Sequence, residues 1–377
     1  MELLLRLVFF SGAFLLLYTY FLYPLVLIVL SPANDKKELI AAQDSAELPF
    51  VSVIVAAYNE EQVIRDRIVN FLASSYAGES ELLIVSDAST DSTDEIVKSY
   101  ANDRVRLLAM DKRQGKGAAI NRAVPASRGE ILVFTDASSA FAAETVEELV
   151  NAFADPAVGL VNGRIHYRDA NVANLYHRYE RLLKNIEVRK GIVASAHGAV
   201  YALRRSIWED HDPRLVNDFY DPIVTILKGY TVAIAPKALC VESFSMDTQF
   251  RRQVRMVALA ALVFFKLLPR IVRARCWRLL LVLTSHKLLR WLTAIWLLVV
   301  VAATMFLASA GSVFYVAAGL EVVAGLLATA GFISDTLGIG ERTTVVYNFL
   351  VLNCAAIVGL WICLRGKATA TWQPNAS

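Results

Sequence analysis

Asn59, Asp87 and Asp136 each stand within two residues of the end of a short apolar, β-branched run: VSVIVAA, ELLIVS and EILVFT. Polar and acidic groups delivered to one edge of a sheet suit a divalent cation and the diphosphate it accompanies, because the cation reconciles carboxylates with phosphates. Lys116, between two glycines in GKG, adds a compact positive charge suited to a phosphate or a carboxylate. No GxGxxG follows the first run, and neither GxxxxGK[ST] nor HExxH occurs anywhere. The dinucleotide, P-loop and zincin readings therefore fail.

These residues need a scaffold that brings strand ends together. Runs at 51–57, 81–86, 104–110 and 130–136 read as strands buried on both faces, and helical patterns at 60–73, 91–100, 118–126 and 143–153 alternate with them. That alternation predicts an α/β sheet with parallel strands, whose ligands bind beyond the carboxyl ends. Thr90 and Asp91 are expected to cap and open the helix after the second strand, and Glu60 and Glu61 equally suit a helix N-terminus.

The whole chain cannot face water. Of 377 residues 56% are apolar and only 19% charged, and the excess lies in Leu3–Leu30 and after Trp291. Leu7–Leu30 carries no charged side chain over 24 residues, about 36 Å of helix against a hydrocarbon core of roughly 30 Å. A secretory leader is the competing reading, but the run is long for one and lacks a clean small-x-small cleavage site. Trp291–Ala310, Ser312–Ile333 and Thr343–Leu364 are three further expected spans, the second interrupted by Glu321. Between Thr248 and Leu320 stand ten Lys and Arg and no acid, which places this zone on the cytoplasmic side of a cell (inner) membrane. Met256–Arg275 reads as an interfacial helix.

The expected organisation is a span at 1–30, a linker at 31–49, a soluble domain at 50–250, basic interfacial helices at 251–290, and about three spans with a short tail at 291–377. Cys240, Cys276, Cys354 and Cys363 show neither metal-ligand spacing nor a disulfide framework.

Seven motifs follow one another: VSVIVAAYNEE (51–61), IVSDASTDSTDEIV (84–97), GKGAAINRA (115–123), ILVFTDASS (131–139), GAVYALRRS (198–206), NDFYDP (217–222) and FRRQVRM (250–256). In order and spacing they resemble the family 2 glycosyltransferases over about residues 50–290. A cytoplasmic domain followed by membrane helices resembles the branch with hyaluronan, chitin and cellulose synthases. The resemblance implies a GT-A fold with a mixed, mostly parallel sheet, a nucleotide-sugar donor, a glycan or lipid acceptor, a divalent metal (Mg2+ or Mn2+), and inversion at the anomeric carbon. No nucleic-acid partner is expected.

Such a transfer needs one acid to take the acceptor proton and a separate cation to stabilise the departing diphosphate. By resemblance Asp218 is the base, with Asn217 where the family usually has another acid, and Asp221 is an assistant or a first-turn residue of a helix over Pro222–Lys228. Asp136 is the metal carboxylate. Ser138 stands where a second carboxylate is usual. Asp87 matches the position that contacts the nucleobase, where it could accept a uracil imide and so favours a uridine donor. Ala57, Tyr58, Asn59 and Glu60 frame the nucleotide. His197 and Gly198 lie near the sugar, and Arg252 and Arg255 near the diphosphate. Met256 stands where the family has a Trp that would form a platform for the acceptor sugar. Polysaccharide synthesis is the product class that the synthase branch implies, and single-sugar transfer to a lipid, which the absent Trp favours, is the alternative. A silent nucleotide-sugar-binding scaffold is the reading from a different class.

Overall fold

The computed structural model describes residues 1–29, 48–167, 175–242, 249–337 and 345–369. It partitions into a sheet unit, Leu30–Ser245 with Leu262–Leu280 and Thr369–Ser377, and a helical unit, Met1–Val29, Met246–Ala261 and Leu281–Ala368. Most of the linker read at 31–49 lies outside the described residues, as do 370–377 of the tail.

The described strands of the sheet unit are β1 Val51–Ala57, β2 Ser80–Ser86, β3 Val105–Ala109, β4 Ile131–Thr135, β5 Ala140–Phe141, β6 Val158–Tyr167, β7 Tyr201–Arg204 and β8 Thr231–Glu242. Their order is β3-β2-β1-β4-β7-β6-β8-β5. β1 runs parallel to β2 and β4, and β2 to β3, while β7 runs against both β4 and β6. Two reversals across β7 return β6 to the direction of β4, and β8 is parallel to β6. The C-terminal ends of β1, β2, β4 and β8 therefore share one edge. The expected mixed, mostly parallel sheet is present. Helices Ile64–Leu72, Thr93–Ser99, Lys116–Ala126 and Thr145–Asn151 fall within the four expected helical windows except that Lys116–Ala126 begins two residues earlier.

β2 is buried along its whole length, including Glu81 with no exposed surface. A carboxylate survives there because Ser52 Oγ donates at 2.7 Å, the Arg128 N–H at 2.6 Å and Arg106 Nη1 at 2.7 Å. Burial pushes Glu81 up, but these bonds outweigh it and hold the group below its ordinary value. Glu81→Ala is expected to cost about 2–3 kcal/mol, read as a Tm about 5 °C or more lower. An acid depressed by folding stabilises above its unfolded value and loses this as pH falls through the folded one. The deficit should therefore narrow below about pH 4.

In the helical unit, Glu2–Val29, Ser312–Ser334 and Val345–Leu364 are long and apolar enough to cross a membrane. The span expected at Trp291–Ala310 is different. Thr293–Leu307 is a 15-residue helix bent 57° from Trp277–Trp291, and only the pair together has the length and composition of a span. The break sits at Leu292, whose φ of −91° and ψ of 0° leave the helical region, a feature that composition does not reveal. Gly12 lets the first helix approach Val300, where a Cβ would stand 2.8 Å from its Cγ2. Glu321 accepts a hydrogen bond from Thr304 Oγ1 at 2.9 Å, so this acid within an apolar helix has a partner.

Candidate active site

The loop after β1 and the loop after β2 are tied to each other. Asn59, with φ of 54°, and Ala88, with φ of 58°, both turn through the left-handed region, which Asn tolerates better than Ala. Asn59 Oδ1 accepts the Thr90 N–H at 2.8 Å, and the Asn59 N–H donates to Ser89 Oγ at 3.2 Å. Asp91 lies two residues ahead of the helix rather than in its first turn. Its carboxylate accepts the N–H of Thr93 at 3.0 Å and of Glu61 at 3.1 Å. Glu61 in turn accepts the Ser92 N–H, so it braces the loops while Glu60 faces Asp136. Burial, then the charges of Asp136 and Asp91, push Glu60 up to about 7.

Asp87 is buried beneath these loops. Its two oxygens accept the N–H groups of Gln114 and Gly115, each at 2.7 Å, and its own N–H donates to the Ala57 carbonyl at 2.8 Å. Its clearest role is therefore to clamp the turn that launches Lys116. That turn requires Gly115, whose φ is 94°. An imide contact would be a second bond on an oxygen already in use. Arg113, one residue before the clamp, lies 3.6 Å over the Tyr58 ring.

Lys116 opens its helix, where a positive charge opposes the dipole and calls for an anion. It finds Asp136 at the end of β4, Nζ to Oδ1 at 2.5 Å. Burial pulls the ammonium down, yet Asp136, with Asp218 and Glu242 behind it, holds Lys116 above its ordinary value. The charges of three acids, from the end of β4, the Asp218 helix and β8, thus bear on one lysine, with Asp136 in direct contact. The loop after Asp136 is fixed from below by the fully buried Arg67. Its Nη1 donates to the Ser139 carbonyl at 3.0 Å and its guanidinium lies 4.4 Å from the Phe141 ring centroid. Ser138 is exposed beside Asp136.

The helix bearing Asp218 runs Asn217–Leu227, five residues earlier than the expected start at Pro222. Pro222 lacks the N–H that would bond the Asp218 carbonyl. That carbonyl instead accepts the Ala196 N–H at 2.7 Å, which lets the helix continue through the proline. Asp218 is consequently in the first turn, and Asp221 is a buried residue in the helix interior. His197 is half-buried, its backbone N–H donating to Asn162 Oδ1 at 3.0 Å.

Gly198 faces the Asp218 carboxylate directly. A Cβ there would lie 2.9 Å from Asp218 Oδ2. The obstructed atom ends a flexible side chain, so Gly198→Ala should fold normally while displacing the carboxylate, lowering turnover about a hundredfold with Tm nearly unchanged. Arg252, exposed, and Arg255, half-buried, stand on the helix Gln249–Arg273, in the part that belongs to the helical unit.

Arg113, Glu242 and Tyr201 were not among the residues singled out from the sequence. Glu242 had a usable signal, being polar at the end of an apolar run, as Asp87 and Asp136 are. Among the described residues no three His, Cys, Asp or Glu side chains gather closely enough to hold a cation alone. The exposed Asp136 carboxylate, with Glu60 and the Ser138 hydroxyl nearby, nevertheless fits a hydrated ion that takes its remaining ligands from a diphosphate.

The model of glycosyl transferase family 2 matches residues 52–211. An N-acetylglucosaminyltransferase of Bradyrhizobium elkanii is 32% identical over 139 residues, which cover 36% of this chain and 75% of that protein. The chain belongs to glycosyltransferase family 2. A β-monoglucosyldiacylglycerol synthase of Nostoc sp. is 34% identical over 138 residues, covering 35% of this chain and 28% of that enzyme. The chain spans less than half the length of this and other curated relatives that it matches. Over 97% of this family 2 chain and 98% of the other, the fold is that of the mannosyltransferase PcManGT from Pyrobaculum calidifontis, solved with GDP-Man and Mn2+, at a TM-score of 0.70 and 23% identity. The sheet unit is thus a GT-A fold.

Proposed function

We propose that the protein transfers a sugar from a nucleotide-sugar donor to a glycan or lipid acceptor at the cytoplasmic face of the cell (inner) membrane, with inversion and with a divalent cation. The observation that supports this reading is the ion pair of Lys116 with Asp136 at the carboxyl edge of the sheet, on which the charges of Asp218 and Glu242 also bear. An acid for a cation and an acid for a proton would then lie near one basic group. Asp218 would accept the acceptor hydroxyl proton as the bond to the anomeric carbon forms. Asp136 and Ser138 would hold Mg2+ or Mn2+, which supplies charge stabilisation for the leaving diphosphate. Lys116, which stands against Asp136, would face a phosphate oxygen of the donor. Ala57, Tyr58, Asn59, Glu60 and the loop pinned by Asp87 would frame the nucleotide. His197 and Gly198 would border the sugar, while Asp221, buried against Tyr201, would stay behind them.

Membrane placement rests on the apolar helices and the ten Lys and Arg between Thr248 and Leu320. A lipid acceptor taking a single sugar is favoured over a growing polymer by Met256 at the family's Trp position and by a relative named for a glucosylated diacylglycerol. Incubating the purified full-length protein with membrane lipids and labelled UDP- and GDP-sugars should yield a lipid-extractable product carrying one sugar. A water-soluble polymer would overturn the single-transfer reading.

A further inference from the structure

Beneath Asp218 lies a hydrogen-bonded group that the chemistry above does not use. Tyr201, on β7, has no exposed surface, and Asn217 and Asp221, on the Asp218 helix, are 4% and 3% exposed. Asn217 Nδ2 donates to the Tyr201 hydroxyl, and that hydroxyl donates to Asp221 Oδ2 at 2.7 Å. Tyr201 is held from behind by Phe134 of β4, stacked with ring centroids 4.9 Å apart, and Thr225 Oγ1 closes the turn on the Asp221 carbonyl at 2.7 Å. The chain of bonds spans the first turn of the helix and so brackets Asp218, whose carboxylate is aimed at Gly198.

We propose that Asn217, Tyr201 and Asp221 form a buried positioning network that orients Asp218, and that its hydrogen-bond polarity is why this chain carries an amide rather than an acid at 217. The proposal rests on Asp218 being the base. A phenol has one proton to give. Here it goes to Asp221, so the group at 217 must be a donor. A carboxylate at 217 would leave two buried acids competing for one hydroxyl proton beside Asp218, with no donor between them. One neutral and one acidic side chain satisfy the network in either arrangement, so exchanging the two should preserve it.

The charges around the network are few. Asp221 faces Tyr201 from β7, Asp218 from its own helix, and Glu209 from the segment before that helix. Asp218 faces Lys116, which Asp136 and Glu242 also approach. Burial pushes Asp221 up to about 7, the Tyr201 bond opposing this while Asp218 and Glu209 add to it. An added acid at 217 should therefore be tolerated better in acid than in base.

The test is a swap in the full-length protein in detergent. Asn217→Asp should lower Tm by about 5 °C or more at pH 8 and by less at pH 5. Adding Asp221→Asn should recover at least half of that loss and remove its pH dependence. A double variant no more stable than Asn217→Asp overturns the network, and this arm needs no substrate. In the rate arm, release of nucleoside diphosphate from UDP-glucose and GDP-mannose is followed against pH. Asn217→Asp should move the acidic limb up by about one unit, and the double variant should bring it back. A limb that stays fixed in Asn217→Asp, while Asp218→Asn is inactive, refutes the link to Asp218 but leaves the base assignment standing. Full turnover in Asp218→Asn sinks the base assignment instead.

Discussion

Asp218→Asn is expected to lower turnover by about a hundredfold to ten-thousandfold, the range that removal of a positioned general base produces. The substitution keeps the side-chain volume and its place opposite Gly198, so a structural collapse would not account for the loss. Tm should change little, since Asp218 sits in the first turn of its helix and the Ala196 bond goes to its backbone carbonyl, which survives. Donor affinity should also survive, because the proton is taken from the acceptor. The informative pattern is therefore a kcat effect with donor KM nearly unchanged. A variant that keeps wild-type turnover would move the base elsewhere, Asp221 being the other acid on the same helix. Asp221 is buried and hydrogen-bonded to Tyr201, which makes it a poor candidate to meet an acceptor.

The second large effect is expected at Asp136. Asp136→Ala removes the exposed carboxylate at the end of β4 and deprives Lys116 of its ion pair. Loss of the cation's protein ligand should cut kcat/KM about a hundredfold or more and shift the Mn2+ activation curve to higher concentration. Because Lys116 is freed at the same time, nucleoside diphosphate alone could bind as well as before in the absence of metal. That combination separates a metal role from a purely structural one. An unchanged Mn2+ midpoint in Asp136→Ala would show that the cation is held by other groups.

Much of the sheet was legible because its strands are covered on both faces and so read as unbroken apolar runs, which end where Asn59, Asp87 and Asp136 begin. The helix after Asn217 was read too short because proline is the usual first residue of a helix, and nothing in the local sequence says that Ala196 will take the orphaned carbonyl. Glu242 joins the site only through the double reversal across β7 and a pairing of β8 with β6, a long-range relation that no local pattern encodes. Tyr201 was hidden for a different reason. In GAVYALRR it passes for one more core residue, and its hydroxyl acquires meaning only from Asn217 and Asp221, on the next helix. Asp87 shows the converse, a residue legible as important whose carboxylate is spent on the backbone of Gln114 and Gly115. The break at Leu292, at the start of the span expected over Trp291–Ala310, went unread because hydropathy measures composition along a helix and is blind to its direction.

Turnover of a nucleotide-sugar by this family 2 protein is the activity on which every role above depends. Its most direct test is release of nucleoside diphosphate by the purified full-length protein from a panel of UDP- and GDP-sugars, with Mn2+ or EDTA and with membrane lipids as acceptor. Release from one donor class is expected, dependent on the cation and lost in both Asp218→Asn and Asp136→Ala. Saturable donor binding with no release under any of these conditions would contradict it, and would make the protein a nucleotide-sugar-binding scaffold.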